Sequence, residues 1–109
     1  MENSCVLVLT TVGSRADAQM LASTLVSERL AACVNVLAEM DSTYRWKGAV
    51  ESQRERQMVI KTTSERVPAL RARVHQLHPY EVPEFVVLPV TGGSEAYLSW
   101  IRESTAGTG

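Results

Sequence analysis

The chain has 109 residues, enough for one domain over residues 1–109 that buries about two-thirds of its unfolded surface. Hydrophobic residues make up 45% and charged residues 21%, and 11 basic against 12 acidic side chains leave a formal net charge of −1. That balance does not support the basic face a nucleic-acid partner needs, and no apolar run approaches membrane-spanning length.

Met1 to Cys5 is too short and too acidic for the n-region of a signal peptide, so a cytoplasmic protein is expected. Cys5 to Thr11 is a continuous apolar run closed by threonines, which predicts a strand buried on both faces. Ser14 and Asp17 stand three apart, an acidic variant of a capping box, and predict a helix start. Ala18, Leu21, Ala22, Leu25 and Val26 then repeat at helical spacing, with Ser23, Ser27 and Glu28 facing away. Leu30 to Leu37 returns to strand character, with Val34 and Val36 on one face and Cys33, Asn35 and Leu37 on the other.

Ser42 to Trp46, the turn Lys47-Gly48, and Ala49 to Thr63 predict a hairpin with arms longer than an ordinary strand. Glu39 to Asp41 marks a bulge in its first arm. The mixed charges of 51–57 read as a solvated or self-paired surface. Ser64 is the predicted cap of a second helix, whose apolar stripe is Val67, Leu70, Val74 and Leu77. Pro79 and Pro83 end that helix by His78 and stiffen His78-Pro-Tyr-Glu-Val-Pro-Glu84. Phe85 to Val90 predicts a buried strand that Pro89 ends or places at an edge. Ser94 caps a last helix to about Glu103, and Thr105 to Gly109 reads as a frayed tail.

The order β-α-β-β-α-β plus a helix predicts the α+β, ferredoxin-like sandwich, one antiparallel sheet with two helices on one face. The second face and the long hairpin would be exposed in a lone copy, so a homo-oligomer is expected. Cys5 and Cys33 lie in apolar runs without a CxxC spacing and read as buried free thiols. Cys33 with His78 would form a nucleophile–base pair only if the fold joined them, and no third orienting group is evident, so no enzyme is expected. Thr91 to Ser94 offers an anion cradle or, more simply, a turn and cap.

Five fragments converge in register: Arg29-Leu-Ala-Ala-Cys-Val-Asn35, Tyr44-Arg-Trp46 with Gly48, Ile60-Lys-Thr62, His78 to Glu84, and Tyr97-Leu-Ser-Trp100. Together they resemble the CutA family of divalent-cation tolerance proteins over about Val6 to Ile101. The resemblance implies a tight homotrimer in the cytoplasm, linked to tolerance of copper and other divalent metals. It implies Cys33 and His78 as candidate copper contacts; Glu84 and Glu81 could add ligands, by proximity in sequence only. Some members carry a cysteine where this chain has Thr10 and a histidine where it has Leu77. The family's trimer also resembles that of the PII signalling proteins. On that alternative Tyr80, Glu81, Lys61 and Trp46 line an inter-subunit cleft for a small ligand, with no obligatory metal.

Overall fold

Strand β1 (Cys5–Val12) has a strand on either side, which is why its residues are nearly all buried. The computed structural model describes residues 4–107; the expectations for residues 1–3, 108 and 109 lie outside them. After β1 come α1 (Arg15–Ser27), β2 (Cys33–Trp46), β3 (Ala49–Thr63), α2 (Val67–Leu77), β4 (Val86–Pro89) and α3 (Glu95–Thr105). The strand order is β2-β3-β1-β4 with every pair antiparallel, the ferredoxin-like sheet. No helix among the described residues is long and apolar enough to cross a membrane.

The even-numbered residues of β1 face α1 and α2. Val6 and Val8 pack with Leu25, Ile60, Leu70 and Val74, and Val12 packs with Ala18, Leu21 and Met58. Ser14 caps α1 by accepting the Asp17 amide at 3.1 Å. The helix closes in a Schellman motif: Arg29 takes φ 62°, its N–H reaches Val26 O, and Leu30 N–H reaches Leu25 O. Glu28 does not face away. It clamps Arg73 of α2 with bonds of 2.9 and 2.7 Å, and these bonds raise the guanidinium's pKa. Val26, expected in the apolar stripe, is exposed.

The hairpin forms as expected. Lys47 (φ 50°) and Gly48 (φ 83°) make the two-residue turn, both with the positive φ that a type I′ turn requires. The bulge falls between Val36 and Glu39, at the start of the predicted stretch, and reverses the facing of everything that follows in β2. β1 ends opposite Arg56, so residues 49–55 of β3 have only β2 as a strand neighbour. This overhang draws the molecule out to 43 × 26 × 24 Å.

Several local expectations are corrected. Ser64 opens one turn of 3₁₀ helix, Ser64–Arg66, and α2 begins after it without a side-chain cap. β4 ends at Pro89 and is an edge strand as expected, but it is exposed and not buried, because β1 is its only strand neighbour. The start of the tail is tied down: Thr105 is buried, and Arg66 donates to Thr105 O at 2.6 Å and to Gly107 O. The second sheet face is not wholly bare. α3 lies across one end of it, where Ile101 packs with Cys5 and Ala32. Cys5 is buried as expected; Cys33, the first residue of β2, is half-exposed.

Candidate functional site

Helix α2 stops at His78, which is extended (φ −77°, ψ 135°) because Pro79 disfavours a helical residue before it. The chain then turns back beneath β1. The His78 ring is 6% exposed, with Nε2 at 2.6 Å from Thr11 O and Nδ1 at 3.1 Å from the Tyr80 amide. That amide can only donate, so Nδ1 accepts and the proton sits on Nε2, which donates to the Thr11 carbonyl. Both ring nitrogens are therefore committed to holding the connector.

Tyr80 stacks at 4.6 Å from His78 and donates its hydroxyl to Glu55 Oε2 at 2.9 Å. Burial, and then the bond to Glu55, push the Tyr80 phenol up to about 12. A Cβ at Gly13 would stand 3.2 Å from the Tyr80 hydroxyl, a tight approach that the phenol would have to yield to by a few tenths of an ångström. Glu84 accepts from Gln57 Nε2 at 3.0 Å, and the same nitrogen donates to Thr10 O at 2.8 Å. The His78–Glu84 connector is thus stitched to both β1 and β3.

Between this connector and the overhanging hairpin lies a groove of about 720 Å³. The bulge turns Met40, Ser42, Tyr44 and Trp46 toward it, and the odd residues of β3, Glu51 to Gln57, complete its floor. Its lining holds the carboxylates Glu51, Glu55, Glu81 and Glu84, the aromatics Tyr44, Trp46 and Tyr80, and no Lys, Arg or His. Glu55 is only 7% exposed, so the reading of 51–57 as a solvated surface fails there. Glu55 and Gln57 were missed as site residues. The period-two pattern Glu51, Gln53, Glu55, Gln57 was the signal that could have found them.

The expected site residues fall into separate groups. Tyr80, Glu81, Glu84 and Trp46 meet in the groove. Lys61 does not; its Nζ bonds the Tyr97 hydroxyl at 3.3 Å under α3, where Tyr97 stacks on Trp100. Cys33 pairs with Lys61, beside Leu7 of β1, whereas His78 meets β1 at Thr11. That is two strands across and about 13 Å further along. Within one chain Cys33 and His78 share neither a metal nor a catalytic pair. Among the described residues no three His, Cys, Asp or Glu side chains converge to hold a metal ion, so Cys33, His78 and Glu84 do not fit copper as one set. His75 is exposed, with Nδ1 at 2.9 Å from Arg71 O, and does not join His78.

A ferredoxin-like sheet whose overhanging hairpin carries a carboxylate- and aromatic-lined groove defines the chain as a small α+β protein of the ferredoxin-like class. Comparison with known proteins makes this specific. The model of the CutA1 divalent ion tolerance protein family matches residues 6–104. The divalent-cation tolerance protein CutA of Thermus thermophilus is 48% identical over 99 residues, 91% of this chain and 96% of that one. The chloroplastic protein CutA of Arabidopsis thaliana is 42% identical over 100 residues, 92% of this chain and 55% of that longer one. The crystal structure of CutA1 from Oryza sativa superposes with a TM-score of 0.93 at 37% identity, covering 97% of each chain. This chain belongs to the CutA1 divalent ion tolerance family, and that membership supports a role in metal tolerance.

Proposed function

We propose that the chain acts as a non-enzymatic homotrimer in the cytoplasm, and that it contributes to divalent-cation tolerance, with cations gathered by the acidic groove and their ligand set completed by another subunit. The observation that carries this is the lining itself, Glu51, Glu55, Glu81 and Glu84 with no basic side chain. Such a surface concentrates cations and repels anions. Carboxylate oxygens suit hard divalent ions, and copper would need softer or imidazole ligands from outside the groove. Cys33 is half-exposed on the sheet face that a second copy would cover. A copper contact there is completed by another subunit or not at all. Native mass spectrometry of the reduced protein, with and without about one equivalent of Cu(II) per chain, tests both claims. A threefold mass with stoichiometric uptake that falls in Glu51→Gln supports the groove, and a fall in Cys33→Ala supports the inter-subunit copper contact; a monomer overturns the trimer, and no retention of Cu(II) overturns the metal reading.

A second reading is a PII-like trimer with a small-molecule cleft and no obligatory metal. It is favoured by the aromatic walls and by a His78 whose ring has no free nitrogen. Thermal-shift screening of metals against small organic ligands, with chelator controls, separates the two readings.

A further inference from the structure

Glu55 is the anchor of this inference. It is 7% exposed, it lines the groove, and its one hydrogen-bond partner among the described residues is the Tyr80 hydroxyl. No ion pair among the described residues reaches Glu55. A carboxylate this buried is costly without a cation beside it. Nothing in the lining supplies one.

The rim shows what kind of cation the surface accepts. The Lys47 ammonium lies 5.6 Å over the Trp46 ring and 3.8 Å from Glu81. An ammonium held between an indole face and a carboxylate is therefore already present, supplied by the chain itself. Tyr44, Tyr80 and Glu55 line the same groove, and among the described residues no cation–π contact falls on either of these tyrosines. Among the described residues no three His, Cys, Asp or Glu side chains converge for a metal ion, and about 720 Å³ suits a molecule with a body.

We propose that the groove binds an organic cation bearing N–H donors, an ammonium or a guanidinium. Its charged head bonds to Glu55, and its apolar part lies against Tyr44, Trp46 and Tyr80. Cation–π attraction and a charge-assisted hydrogen bond then act on the same group. The proposal rests on the small-ligand reading above and names its ligand class. The cation comes either from a free small molecule or from a Lys or Arg side chain of a second copy of this chain.

Titration of the full chain with n-butylammonium and n-butylguanidinium, followed by NMR shifts and calorimetry, tests it, with n-butanol as the neutral control. Saturable binding of the cations alone, at least tenfold weaker in Glu55→Gln and in Trp46→Ala, supports a free ligand. Glu55→Gln keeps an acceptor for the Tyr80 hydroxyl. Trp46, 38% exposed, carries the test if Glu55→Gln does not fold. If the cation belongs to a second copy, neither probe binds and Glu55→Gln lowers the assembly mass in native mass spectrometry. Probe binding that is unchanged in both variants, or displaced by equimolar Mg(II), overturns the proposal, as does absence of binding with an unchanged assembly. A neutral or anionic ligand that stabilises the protein while both probes fail would leave the small-ligand reading standing and the cation inference refuted.

Discussion

Tyr80 joins the connector to the hairpin through a single hydrogen bond, and its titration reports on that joint. Its pKa in the folded chain, about 12, lies above the ordinary phenol value of 10.0. The proton is therefore held more tightly folded than unfolded. The stabilisation is complete below pH 10 and is lost as pH rises toward 12. Ultraviolet titration should place one tyrosine near 12, and Tyr80→Phe should remove it and flatten the loss of stability between pH 10 and 12. Thr10 offers a second test. Its hydroxyl is buried in the helix-facing core beside Met58 and has no hydrogen-bond partner among the described residues. Thr10→Val keeps the shape and removes the orphan hydroxyl, so urea denaturation should show a gain of about 1 kcal/mol. A loss of stability would mean that a water or another subunit satisfies that group.

At the scale of elements, α3 is held at its C-terminal end by one side chain. Arg66 leaves the 3₁₀ turn and donates to the carbonyls of Thr105 and Gly107, closing a helix end whose last carbonyls lack intrahelical partners. Arg66→Ala should cost about 1–2 kcal/mol. Faster amide exchange should be confined to the last turn of α3. Exchange that accelerates equally in β1 would show that Arg66 supports the whole sheet. The hairpin obeys different physics. Its turn residues carry positive φ, and a single bulge sets which side chains line the groove. Removing the inserted residue would turn Tyr44 and Trp46 to the other face.

Across the whole molecule, the apolar surface left uncovered is the sheet face opposite α1 and α2. Leu37, Val86 and Leu88 are each at least 41% exposed there, and Tyr97 and Trp100 of α3 stand beside them. β4 adds an open edge. A face of this kind is covered by another copy in the proposed trimer. Leu88→Glu should shift the native mass from threefold toward one chain and lower the melting temperature in a concentration-dependent way. An unchanged mass would place the subunit contact elsewhere.

Chain order, the ferredoxin-like arrangement, the hairpin and the stop of α2 at His78 were all legible in the residues. Each depends on local rules, namely hydrophobic period, turn chemistry and the steric demand of proline. The family could be read as well, because its fragments stand in fixed register along the chain. What the residues alone could not decide was which distant side chains meet. The burial of Glu55 depends on a connector that returns from α2 25 residues later in sequence to place Tyr80 against it. The separation of Cys33 from His78 depends on strand order, and the facing of Tyr44 and Trp46 on where one extra residue enters β2. These are long-range consequences of packing two layers together, and no window of sequence contains them.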